Sequence, residues 1–208
     1  MGNHMNRPLH VCIVGPDGVG KTTIANHIID SMESQGWKVV RLNARPKSVD
    51  AVTNQDFDYT DPHGLPPRNV ARSLAKAGLK FGYAWVQAVK TRKAHSSRTV
   101  LIEERGWVDH GVDHRRYRIH PTAASVFRVA APLAPGPDRT IVLTGDPETI
   151  TLRKNEIDQE EVARQLQLWG TLHSNGRLGN ATAIDTTETT VDETVNIALD
   201  FLLEGTGA

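Results

Sequence analysis

The sequence predicts an α/β domain, with a five-stranded parallel sheet covered by helices on both faces. Short apolar, β-branched runs alternate with helix-length amphipathic segments along the chain. The runs are continuously apolar rather than alternating, the pattern of strands buried on both sides. At 208 residues the chain fits one domain and is long enough to bury a full core.

The first strand is "LHVCIVG" (9–15), closed by Gly-Pro. A helix follows over 21–35, with Ile24, Ile28 and Met32 on one face and Gly36 as its stop. "KVVRLNA" (38–44) is the second strand, and the polar stretch from Arg45 to Pro67 reads as a long loop. Residues 68–95 predict a long helix with Val70, Leu74, Ala77, Phe81, Trp85 and Val89 on one face. "TVLIEER" (99–105) is the third strand, and the charge- and His-rich residues 106–120 lead to a helix opening at Pro121 and running to 133. "RTIVLTG" (139–145) and "ATAIDTT" (181–187) complete the sheet, with helices near 147–156, 158–174 and 191–203. "MGNHM" (1–5) looks like an expression-tag remnant with Met5 as the native start, and the tail 205–208 is expected to be disordered.

Lys plus Arg and Asp plus Glu are 24 each, so no net field recruits nucleic acid or a membrane surface. No apolar stretch approaches the roughly 20 residues of a membrane span. The lone Cys12 has no internal disulfide partner, which suits a reducing cytoplasm.

Gly15-Pro16-Asp17-Gly18-Val19-Gly20-Lys21-Thr22 matches G-x-x-x-x-G-K-[ST] in full, after a strand and before a helix. This is a P-loop, and with it the fold class becomes a P-loop NTPase three-layer sandwich. Its glycines let backbone N–H groups point at phosphate oxygens, Lys21 reaches the β and γ phosphates, and the Thr22 hydroxyl ligates Mg²⁺. Gly15, Asp17, Gly18, Val19, Gly20, Lys21, Thr22 and Thr23 are the candidate nucleotide-binding residues. The guanine-reading N-K-x-D of GTPases is missing, and the chain is short for a motor or transporter, so elimination favours a small-molecule kinase. Ligands of such sheets bind beyond the carboxyl ends of the strands, where Asp17, Arg45 and Glu103-Glu104-Arg105 are expected to converge.

With "GPDGVGKTT" in place, the chain resembles the thymidylate kinase-like family of P-loop phosphotransferases. "VLIEERGW" (100–107) supplies Glu104-Arg105 where the family has Asp-Arg. "DPHGLPPR" (61–68), "VDHGVDHRRYR" (108–118) and "LRKNEIDQEEVARQ" (152–165) resemble a divergent branch associated with polysaccharide or natural-product biosynthesis. The resemblance spans Leu9 to Leu203 and implies one kinase domain over 6–204 with a lid about 147–175. It further implies ATP and Mg²⁺, a small-molecule acceptor, and a homodimer through the long helix 68–95. Gly106 stands where thymidylate kinases commonly keep an aromatic, which sets housekeeping thymidylate kinase activity aside.

The resemblance gives Asp17 contact with an acceptor hydroxyl; a loop-shaping carboxylate is the alternative, and its loop position predicts an exposed side chain. Glu104 is read as a ligand of Mg²⁺ or its water, or as a base, while Glu103 bonds a neighbouring element. Arg105 is the expected clamp on the γ-phosphate or the acceptor, against a solvent salt bridge. Arg153, with Lys154 and Arg164, lies where a family lid would close over the transferring phosphate. Asp109 and Asp113 are read as hydroxyl or arginine partners, and Arg115 and Arg116 as a grip on an anion; a solvated charged face is the alternative, and zinc the weaker reading of the His110–His114 pair. Arg45, ending the second strand, is a further acceptor-binding candidate. The acceptor stays open between a nucleoside or nucleotide, a sugar or glycan, and a natural-product hydroxyl. A nucleotide-binding regulatory protein with weak catalysis is the alternative of a different class.

Overall fold

The computed structural model describes residues 7–42, 66–94, 98–154 and 158–204. In chain order the elements are β1 (Leu9–Val14), α1 (Lys21–Ser34), β2 (Lys38–Leu42), α2 (Val70–Ala94), β3 (Thr99–Glu104), α3 (Asp109–Val112) and α4 (Pro121–Val129). They continue as β4 (Arg139–Thr144), α5 (Pro147–Arg153), α6 (Gln159–Ser174), β5 (Ala181–Asp185) and α7 (Val191–Leu203). The strands form one parallel sheet in the order β2-β3-β1-β4-β5. The predicted α/β P-loop architecture is the observed one.

Alternation along β1 divides the core between the two faces of the sheet. Leu9, Val11 and Ile13 pack with Ile24, Ile28 and Met32 of α1 and with Val195, Ala198 and Leu202 of α7. Cys12 and Val14 face the other way, onto Val112, Trp169 and Leu172. A third cluster joins α2 to α4 through Ala77, Ile119, Ala123, Ala124 and Phe127.

Polar side chains fix several helix starts. Asp146 accepts from Thr149 N at 2.8 Å, Asp158 accepts from Glu161 N at 2.7 Å, and Thr190 and Glu193 form a reciprocal capping box.

The structure departs from the sequence reading in three places. Residues 109–112 form a short helix that the charge-rich segment concealed. The helix expected to run to 133 ends at Val129 and tightens to a 3₁₀ turn over Ala131–Leu133, where Pro132 cannot continue the α-helical ladder. The apolar face of α2 is only partly covered: Ala77 is buried, but Val70, Leu74, Trp85 and Val89 are exposed, Trp85 by 49%. The covered part of α2 lies near its junction with α4, where Ala77 is buried and Phe81 meets Trp107 edge to face. The residues 1–5, Arg45 and most of its loop, Ile157 and the tail 205–208 lie outside the described residues.

Candidate active site

The site grows from the end of β1. Gly15 has φ +145°, and a Cβ there would stand 2.5 Å from the Leu143 carbonyl oxygen, so only glycine lets the loop leave the sheet at this point. Gly18, at φ +88°, lies under the end of α5, where a Cβ would meet the Ile150 carbonyl at 2.9 Å. The loop is tied to the last strand as well, because the Thr186 hydroxyl donates to the Val19 carbonyl at 3.0 Å.

Lys21 begins α1 and arches back over this loop. Its Nζ donates to the carbonyls of Gly15 at 2.8 Å and Pro16 at 2.7 Å, and lies 3.5 Å from Asp17 Oδ1. Burial and the Arg105 guanidinium lower its pKa to about 8, against the pull of Asp17, Asp109 and Asp113. The ammonium therefore sits in a ring of loop oxygens at the position where the motif meets phosphate.

Thr22 and Glu104 meet on the other side of the loop. The register that pairs Ile13 with Glu104 brings this carboxylate beside the start of α1. Thr22 Oγ1 donates to Glu104 Oε2 at 2.7 Å, and Arg41 Nε donates to Glu104 Oε1 at 3.0 Å. A hydroxyl and a carboxylate oxygen so placed fit a hard divalent cation whose remaining ligands are phosphates and water. Among the described residues no group of three or more His, Cys, Asp or Glu side chains stands ready to hold a metal by itself. Arg41 escaped the sequence reading; a charged residue near the carboxyl end of a strand was its only signal. Glu103 does bond a neighbouring strand, through His10 Nε2 at 3.2 Å.

Asp17 corrects an expectation. It is 3% exposed, not a solvent-facing loop residue, because cations from distant segments close over it. Arg105 pairs with its Oδ1, and Arg116 Nη1 lies 2.6 Å from its Oδ2. Arg105 adopts φ +70°, a conformation that carries the chain away from β3 while keeping the guanidinium over the loop. Burial opposes its charge, but Tyr117, Asp17, Asp109 and Asp113 outweigh this and hold its pKa above the ordinary guanidinium value.

Asp113 and Asp109 complete the cluster. Asp113 Oδ2 is 4.0 Å from Arg105, and its Oδ1 accepts the Arg116 backbone N–H at 3.3 Å. Asp109 is 2% exposed, and its Oδ2 has no hydrogen-bond partner among the described residues. Burial raises its pKa to about 7, with Arg105 and Lys21 pulling the other way. His110 is stacked on Tyr117 at 4.0 Å, and burial holds its ring neutral.

Other expected cations fall elsewhere. Arg115 does not join Arg116: it is exposed, on the side of His114 and Glu161, because adjacent residues of this turn point apart. Arg164 is no free lid cation. Its guanidinium is held by Glu161 at 2.7 Å and by the Val112 carbonyl at 2.7 Å, which fastens α6 to α3. Arg153 lies beside the P-loop, donating to the Thr186 carbonyl at 2.9 Å and its hydroxyl at 3.2 Å. Thr186, also absent from the sequence reading, links Arg153 at the end of α5 to Val19. Arg45 lies outside the described residues.

A family model described as Novel STAND NTPase 3 matches residues 3–61, the segment carrying the P-loop. No curated protein matches the chain by sequence. Among solved structures, thymidylate kinase from Candida albicans is similar with a TM-score of 0.66 at 17% identity, over 95% of this chain and 92% of that one. Deoxyadenosine kinase from M. mycoides, with the products dCMP and a flexible dCDP bound, gives a TM-score of 0.59 at 14% identity, over 94% of this chain and 100% of that one. The same enzyme with dATP bound gives 0.57 at 14% identity, over 93% and 99% of the two chains. The fold of this chain is that of the thymidylate kinase-like P-loop kinases.

Proposed function

We propose that the chain is an ATP-dependent small-molecule kinase that transfers the γ-phosphoryl group to an acceptor bound beside Asp17. The observation that carries this reading is the convergence, on one loop, of Lys21, the Thr22–Glu104 pair and the Arg105–Asp17 pair. Phosphoryl transfer asks a protein chiefly for positioning and charge neutralisation, and these are the parts present. Lys21 would exchange the loop carbonyls for β- and γ-phosphate oxygens. Thr22 and Glu104 would hold Mg²⁺ or its water, and the ion would neutralise charge between the phosphates. Arg105 would face the transferred group, with Arg153 at the loop's far side.

The acceptor class falls among nucleosides or nucleotides, sugars, and natural-product hydroxyls. A homodimer across α2 belongs to the same reading, because its apolar residues Val70, Leu74, Trp85 and Val89 are exposed; the mass in solution tests it. A nucleotide-binding protein with weak catalysis is the second reading, favoured by the NTPase model that matches the P-loop segment. The two are separated by ADP release from Mg·ATP, measured with a panel of nucleosides, nucleotides and sugars and with Lys21→Ala as control. A kinase gives acceptor-stimulated, Lys21-dependent ADP release; slow release that no acceptor stimulates would favour the second reading.

A further inference from the structure

Thr186 stands where the P-loop, the end of α5 and the loop after β5 meet, and its hydroxyl touches all three. The residue is buried, with Oγ1 3.0 Å from the Val19 carbonyl oxygen and 3.3 Å from that of Thr144. A hydroxyl has a single proton to give. The Thr144 carbonyl already accepts the Thr186 backbone N–H at 3.0 Å, so the proton goes to Val19, at the shorter distance. Arg153 Nη1 donates to the same hydroxyl at 3.2 Å, while its Nη2 holds the Thr186 carbonyl at 2.9 Å. The hydroxyl is therefore polarised by a cation on one side and donates on the other.

The backbone around Thr186 is braced on both sides. Asp185 Oδ1 accepts from Thr187 N at 2.8 Å, from Thr187 Oγ1 at 2.6 Å and from Glu188 N at 3.2 Å. Thr187 Oγ1 in turn accepts from Asp146 N at 3.0 Å. A Cβ on Gly145 would meet Thr187 Cγ2 at 2.6 Å, so this loop has no slack against the end of β4.

The Val19 carbonyl shares one planar peptide unit with the Gly20 N–H, and across a trans peptide the two groups point in opposite directions. Fixing the carbonyl on Thr186 thus fixes the direction of the N–H. Gly20 precedes α1, whose start carries no side-chain cap, and N–H groups at this place in a P-loop are the ones that meet phosphate.

Resting on the nucleotide-binding part of the kinase reading, we infer that Thr186 is a positioning residue for the phosphoryl donor. Its hydroxyl, polarised by Arg153, orients the Val19–Gly20 peptide so that the Gly20 N–H is presented to a phosphate oxygen. Arg153 acts on the phosphates through this hydrogen-bond chain rather than by closing over the transferred group. Every link of the chain runs the same way, from donor to acceptor, and the last acceptor is the anion.

The test uses the full chain isotope-labelled on its glycines and titrated with Mg·ADP, followed by NMR at the Gly20 amide and by calorimetry. Mg·ADP is expected to move the Gly20 amide proton downfield in the wild type. Thr186→Val keeps the shape without the hydroxyl; it should shrink that movement by about half and weaken Mg·ADP about fivefold. Thr186→Ser should restore both to within about twofold of the wild type. Arg153→Met should weaken Mg·ADP as Thr186→Val does, and the double variant should be little weaker than either, because both residues lie on one chain. Arg153 ends α5 at an exposed position, so Arg153→Met, read by the same Gly20 movement, serves if Thr186→Val fails to fold. A lower thermal midpoint in Thr186→Val with the Gly20 movement and the affinity unchanged would overturn the inference and leave Thr186 a purely structural residue. Losses that simply add in the double variant would overturn it too. Failure of Mg·ADP to bind the folded wild type is a separate result, which removes the kinase reading and this inference with it.

Discussion

The two halves of the site are built on different scales. The donor half is local: Gly15, Gly18, Lys21 and Thr22 fall within eight consecutive residues, and their geometry follows from glycine backbone angles and the start of one helix. The half proposed to meet the acceptor is assembled from afar, with Arg105 and Arg116 reaching Asp17 across 88 and 99 residues. A local motif fixes its own chemistry, whereas a convergent cluster owes its meaning to which charge ends opposite which. The same Asp17 belongs to both halves and is read differently from each.

The sharpest way to break the comparison is to empty the donor half alone. Lys21→Ala should lower kcat/KM by about 10²- to 10³-fold, the loss typical of one preorganised charge on a transferring group, while the thermal midpoint moves little. Steady-state kinetics beside thermal melting checks this, and a loss of fold would show that Lys21 is structural.

The convergent cluster should reveal itself through pH. Asp109 has a folded pKa raised to about 7 from an ordinary value of 3.8. The folded state therefore holds this proton more tightly than the unfolded chain does. Its stabilising effect is complete below the unfolded value and is lost as pH rises from about 4 to 7. Asp109→Asn should flatten that part of the stability profile, as urea melts across the window would show; an unchanged slope would mean that Asp109 is not the group responsible.

Gly15→Ala probes the junction between loop and sheet. The side chain would meet the Leu143 carbonyl in a backbone region that L-residues rarely occupy, so a loss of about 2 kcal/mol is expected in denaturant unfolding. Glu104→Gln separates metal from fold. The Mg²⁺ concentration for half-maximal turnover should rise about tenfold with little change in stability, and an unchanged Mg²⁺ dependence would remove Glu104 from the metal site. The smallest effect belongs to Trp85→Lys, which should change stability by less than about 0.5 kcal/mol because the ring is half exposed. If the chain dimerises through α2, light scattering should show the variant shifted towards monomer.

The sheet and its order of elements were legible because buried parallel strands write themselves as apolar runs, and "LHVCIVG" or "RTIVLTG" admits few other readings. The P-loop was legible for the same local reason. Asp17 was identified as important, but its burial was not, since nothing near it announces that Arg105 and Arg116 will cover it. Arg115 and Arg164 show the converse error: a cation in a charge-rich run is easily assigned to a ligand, when Arg164 instead spends its hydrogen bonds on Glu161 and a helix-end carbonyl. Arg41 and Thr186 were missed because each acts through a partner in another strand or loop. The exposed face of α2 looks amphipathic from sequence, yet periodicity alone does not say whether the chain's own core covers it.

Calorimetric titration of Mg·ADP into the wild type and Lys21→Ala tests the central claim most directly. The account predicts saturable one-site binding to the wild type, weakened at least about tenfold when the ammonium over the loop is removed. Absence of binding to the folded wild type, or equal affinity in the two proteins, would contradict it.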